Sequence, residues 1–213
     1  MKNTGFTMSE VLITLGVIGV IAAMTLPSVI KSYQKQVTVN RLKESYNTLS
    51  QAFQRAVTEH DAPAYWTYDD NNLDFFVETY IAPYIKIIKK SSTAPTHYNI
   101  DGKTEMQYYK YYNHYYLANG TEFTVYTISG YTNTHYFINI DINGIKGPNK
   151  YGRDVFRTQF QKTTKSLSLT KTFVFNGIND SFSDIKSNCK SHGIFCGAWI
   201  MREGWKIPDD YPW

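Results

Sequence analysis

Twenty consecutive residues, 11–30, carry no charge, and only Thr14, Thr25 and Ser28 among them bear polar side chains. As an α-helix rising 1.5 Å per residue, such a run is about 30 Å long, the thickness of a bilayer's hydrocarbon core. It reads as a membrane-spanning segment. Glu10 stands directly before it. A carboxylate at that edge is costly to take out of water and calls for a partner.

Two simpler readings fit less well. A secretory signal peptide needs a basic start, a short apolar stretch and a small-residue cleavage site. Here Lys2 is the only basic side chain before a run that extends too far, and Val20-Ile21-Ala22 is a poor cleavage site. A plain single-pass anchor fits the length but has no evident use for Glu10. Basic residues set Lys2 on one side against Lys31, Lys35, Arg41 and Lys43 on the other, which by charge alone favours a cytoplasmic C-terminal side.

The stretch Gly5-Phe6-Thr7-Met8-Ser9-Glu10, followed by the apolar run, resembles the N-terminal signature of type IV pilins and type II secretion pseudopilins. The resemblance implies that a prepilin peptidase and N-methyltransferase cuts after Gly5 and methylates the new terminus at Phe6. It implies that Glu10 pairs with the Phe6 ammonium of a neighbouring subunit. Pairing is what makes a carboxylate tolerable in a low-dielectric bundle. Pro27 also matches the family. The implied topology, against the charge count, places the N-terminus in the cytoplasm, with the chain in the bacterial inner membrane and later in a surface pilus or periplasmic pseudopilus. The implied partners are other pilins and the inner-membrane assembly machinery.

The implied division is a leader at 1–5, a transmembrane or filament-core half-helix at 6–30, an amphipathic half-helix at 31–62 and a head at 63–213. Val39, Leu42, Tyr46, Leu49, Phe53 and Val57 recur at the spacing of one helix face, so a single helix is expected from about residue 6 to 60. Pro27 removes a backbone donor and is expected to kink or locally melt it. Gly16 and Gly19 weaken the same half but lack the GxxxG spacing of a dimer motif. Asp61-Ala62-Pro63 ends the helix. A second helix is expected over 73–90, with Ile87 or Ile88 on its apolar face and Pro83 dividing it.

Beyond His97 the period shifts toward two. Strands are expected at 105–118, 121–129 and 134–142, with a fourth at 154–161 and an edge at 171–175. Asn119-Gly120 marks a hairpin turn and Ser129-Gly130 the next connection. The expected fold is α+β: a long N-terminal helix on an antiparallel sheet, closed by a C-terminal section at 187–213 stapled through Cys189 and Cys196 and pinned by Trp199, Trp205, Tyr211 and Trp213. The alternative for the two cysteines is a pair of free buried thiols; their spacing and number exclude a CxxC pair and a zinc site. The Tyr-rich stretch 108–116 is expected to pack one face on the helix and leave the other half-exposed.

Residues 141–154 are the second distinctive segment. Asp141, Asn143, Asn149 and Asp154 offer oxygens for calcium, a loose resemblance to the ion-binding loop of major pseudopilins, although the EF-hand spacing is not met. A turn locked by Asx hydrogen bonds is the alternative.

No HExxH, GxSxG, P-loop or GxGxxG occurs, and His60, His97, His114, His135 and His192 show no metal-ligand spacing. The chain is expected to be no enzyme and to need no cofactor. A net charge of +4 permits but does not argue for nucleic acid. The expected function is a structural subunit of a pilus-like filament. Alternatives are a secretion pseudopilin, a membrane-anchored binding protein that never polymerises, and a DNA-uptake pilin using Lys162, Lys165 and Lys171.

Overall fold

A computed structural model describes residues 7–93, 95–106, 112–131, 134–165, 167 and 172–213. The chain divides into two compact units, residues 1–37 and 38–213. Helix α1, Met8–His60, runs through both. The helical assignment is unbroken at Pro27, so the expected local melting is not seen. Among the described residues of the first unit every side chain except half-buried Lys35 and Val37 is exposed, including Leu12, Ile13, Ile18 and Ile21.

The second unit is α+β. The last part of α1 buries Val39, Leu42, Tyr46, Leu49, Phe53 and Val57, the face expected from their spacing. Asp61, in the left-handed region at φ 68°, ends the helix, and a 3-10 turn at Pro63–Tyr65 follows. Helix α2 is Leu73–Tyr80, with the Asn72 side chain accepting from the Phe75 amide as its N-cap.

The expected second helix stops there. Pro83 sits in a 3-10 turn, Ala82–Tyr84, and Ile87–Ser91 is strand β1. Ile87 and Ile88 therefore lie on a sheet edge. The residue before proline avoids the α region, and the β-branched residues after it favour a pleated surface.

Strands β2 (His114–Leu117), β3 (Glu122–Tyr126), β4 (His135–Asp141), β5 (Val155–Gln161) and β6 (Phe173–Phe175) complete a six-stranded antiparallel sheet in sequential order. The Asn119-Gly120 turn stands as expected, with Gly120 at φ 86° and its amide donating to the Leu117 carbonyl. β2 is shorter than expected and begins at His114. Of the Tyr-rich stretch, residues 107–111 lie outside the described residues. Tyr115 is buried, and Tyr112 and Tyr116 are half-buried.

One sheet face carries Tyr115, Phe123, Ile138, Ile140, Phe156, Phe160, Phe173 and Phe175 and packs on α1. Tyr46 stacks on Phe173 and Phe175 with centroids 5.3 and 4.6 Å away, and Phe53 lies 4.8 Å from both Phe160 and Phe173. The opposite face was expected to be half-exposed. At its centre it is buried instead, under residues 97–106 and 149–151, which are tied together by Tyr98 N–H to Asn149 O and Tyr151 N–H to Tyr98 O.

The C-terminal section is stapled as expected and is helical. It forms helices α3 (Phe182–His192) and α4 (Cys196–Arg202). Cys189 and Cys196 form a disulfide, and both are buried with Trp199 in the main core. Gly193 caps α3 at φ 79°, and a side chain there would strike the Tyr151 backbone. Tyr211 is buried and Trp205 and Trp213 are half-buried.

Candidate functional site

Gly5 and Phe6 lie outside the described residues. The next residues form a reciprocal cap on α1. Thr7 N–H and Oγ1–H both donate to Glu10 Oε2 at 2.8 Å, and the Glu10 amide donates to Thr7 Oγ1 at 3.3 Å. This is the S/T-x-x-E capping box, which satisfies orphan helix donors at an N-terminus. Glu10 therefore has a use even in a plain anchor, contrary to the expectation from sequence. Both residues are exposed. Pro27, sixteen residues into the apolar run, is exposed as well.

The loop at 141–154 closes on itself. Asp154 accepts from the amides of Asn149 (2.8 Å) and Lys150 (2.6 Å), and Asp141 Oδ1 accepts from the Asn143 amide at 3.0 Å. The Asp141–Asn143 bond is an Asx turn, and the two amides on Asp154 tie the far end of the segment back on itself, the arrangement of the locked-turn alternative.

Asp141 belongs to a different group. Glu122 and Asp141 are direct cross-strand partners on β3 and β4, on the sheet face away from α1. His114 on β2, opposite Thr124, lies beside them, and the loop bearing His97 covers them. All four side chains are fully buried. One ligand atom each from His97, Glu122 and Asp141 lies within 4.8 Å of the others. His114 Nδ1 is 2.6 Å from Glu122 Oε1, and the Thr124 hydroxyl is 2.7 Å from the same ring nitrogen. Glu122 Oε2 and Asp141 Oδ2 have no hydrogen-bond partner.

His97 Nε2 lies 3.6 Å from Asp141 Oδ2, yet this is not an ion pair. Burial, and then the neighbouring His114, push His97 down to about 3 and leave its imidazole neutral. Burial, then Glu122 and Asp154, push Asp141 well above the usual carboxylate range.

Sequence inspection placed the five histidines in unrelated contexts; the fold gathers two of them with two acids. His135 does not meet His114, because the register sets His114 in line with Thr124 and Asn139, four residues along β4 from His135. The Asn119-Gly120 turn located the β2–β3 hairpin, but a two-residue turn there would pair His114 with Val125; the observed register, His114 opposite Thr124, differs by one residue and so sets which face each side chain takes. The register that sets Glu122 against Asp141 was not readable either, because eight residues, 127–134, separate the strands, and a Ser129-Gly130 turn inside so long a connection does not fix a register.

Lys162, expected as a DNA contact, is buried, lies 2.8 Å from Asp70 and packs over the rings of Tyr68 and Tyr136. It presents no charge to a phosphate backbone. Lys171 lies outside the described residues.

A model for a family of unknown function, DUF6613, matches residues 28–213. The match begins within α1, after the Gly5–Glu10 stretch and most of the apolar run. No curated protein and no solved structure matches the chain.

Proposed function

The chain belongs to the family of unknown function DUF6613, and from the residues that precede the matched segment we propose that it is a structural subunit of a type IV pilus-like filament, held first in the bacterial inner membrane by residues 6–30. A prepilin peptidase removes residues 1–5, and Phe6 becomes the methylated terminus. The observation that carries this reading is an exposed apolar half-helix headed by one acid and preceded by Gly-Phe-Thr. Contiguous apolar surface on that scale needs lipid or like helices around it. A cut amine from a neighbour supplies the cation that Glu10 needs once it leaves water. N-terminal sequencing with intact mass of membrane-extracted protein is expected to find a chain starting at N-methylated Phe6. A chain still starting at Met1 overturns the reading.

The capping box favours a second reading, a head on a plain anchor that never polymerises. Glu10→Gln separates the two. Glutamine at this position keeps the reciprocal hydrogen bonds of the box and removes only the charge. A filament subunit then loses assembly while staying in the membrane; an anchored head is unchanged. Filaments recovered outside the cell or confined to the periplasm divide pilus from secretion pseudopilus.

A further inference from the structure

We propose that His97, Glu122 and Asp141 form a buried site for one divalent transition-metal cation in the head. The argument starts from the sheet. Two carboxylates directly opposite each other on neighbouring strands repel, and an apolar core magnifies the repulsion. Burying both without a counter-charge is a poor use of the two positions.

Their orientation points to what joins them. Each carboxylate uses one oxygen in a hydrogen bond: Glu122 Oε1 with His114, Asp141 Oδ1 with the Asn143 amide. Each leaves its second oxygen, Oε2 and Oδ2, without a hydrogen-bond partner, and both side chains are completely buried. A neutral imidazole stands at the same centre, with one ligand atom from each of the three residues within 4.8 Å of the others. Two carboxylates and a neutral imidazole carry two negative charges, which a divalent cation cancels. The ligand set of one nitrogen and two oxygens suits zinc, manganese or ferrous iron; calcium prefers six to eight oxygens. His114 and the Asn143 amide orient the ligating carboxylates from behind, as outer-shell partners do.

The three ligands come from β3, β4 and the segment carrying His97, whose carbonyl accepts from the Met106 amide and whose neighbour Tyr98 bonds Asn149. A cation would therefore staple that covering segment to the sheet centre. Because the site is closed, loading accompanies folding of the head.

The test uses the untagged full-length chain in detergent, unfolded with chelator and refolded with or without Zn²⁺, Mn²⁺, Co²⁺ or Ca²⁺. The expected result is one retained equivalent of a transition metal per chain, a higher melting temperature than the chelated protein, and no such rise with Ca²⁺. Asp141→Asn and Glu122→Gln should retain less than about a tenth as much metal, and His114→Gln should weaken affinity about 10- to 100-fold. In chelator, Asp141→Asn and Glu122→Gln should melt no lower than the wild type, because they remove the repelling pair. Wild-type protein that retains no transition metal overturns the proposal, as do variants that retain as much as the wild type. If the variants melt lower by the same margin with and without metal, the cluster is a metal-free hydrogen-bond network. Should they not fold at all, wild-type stoichiometry and the ligand-field spectrum of the Co²⁺ form decide alone.

Discussion

Helix α1 is one continuous element, yet its two parts solve opposite problems. Up to Tyr33 its described apolar side chains are exposed; Leu12 and Ile13 keep about two-thirds of their surface, at 64% and 66%. From Val39 onward the same helix sets its apolar side chains at intervals of three and four, and Leu42, Leu49 and Phe53 are 0% exposed in the head. The first part is apolar all round and the second along one stripe. What differs is where the partner surface comes from. The head carries its own, while the first part needs one from outside the chain.

The largest expected effect that tests this contrast is a pair of truncations. Phe53→Ala removes a fully buried ring that touches Phe76, Phe160 and Phe173. It should destabilise the head by about 3–5 kcal/mol. Ile13→Ala should leave head unfolding within about 0.5 kcal/mol of the wild type. Denaturant melts followed by Trp fluorescence check both, and equal losses would erase the distinction.

Next in size is the C-terminal staple. Cys189→Ser with Cys196→Ser opens a short loop between α3 and α4 whose two sulfurs are buried in the core, with an expected loss of about 2–3 kcal/mol. Thermal melts with and without reductant should converge on the same value for wild type and variant once the bridge is reduced. A variant as stable as the oxidised wild type would mean that packing of α3 and α4 alone closes the head.

The smallest effect is electrostatic and depends on pH. Burial raises the Asp74 carboxyl, but hydrogen bonds from Lys90, Tyr115 and Asn113 outweigh burial and hold it below the usual carboxylate range. Its folded value is thus lower than its unfolded value of about 3.9. The stability it supplies is present above that value and is lost as pH falls through the folded value. Asp74→Asn should weaken the head by about 1 kcal/mol at pH 7, since the Lys90 partner is partly in water. The difference should shrink as pH falls through the folded value, and a constant difference across that range would remove the charged form from the account.

Much of this was legible along the chain. The length of the apolar run, the face of α1 from Val39 to Val57, the Asn119-Gly120 hairpin and the edge position of β6 follow from periodicity and turn chemistry, both of which are local. The disulfide was readable from cysteine number and spacing. Local information failed where two states compete closely. Residues after Pro83 carry enough Ile to suit helix or strand, and sheet pairing decided for strand. Glu10 looked unsatisfied because its partner was sought in another molecule, while Thr7 stood three residues away.

The sequence by itself determined that one end of this helix needs an apolar surrounding and that the other end packs on a sheet, because hydrophobic period and charge are properties of neighbouring residues. Only the tertiary structure decided that His97, His114, Glu122 and Asp141 share one dry centre. They are drawn from a covering loop and three strands, and their meeting depends on a strand register and a loop path that no local pattern encodes.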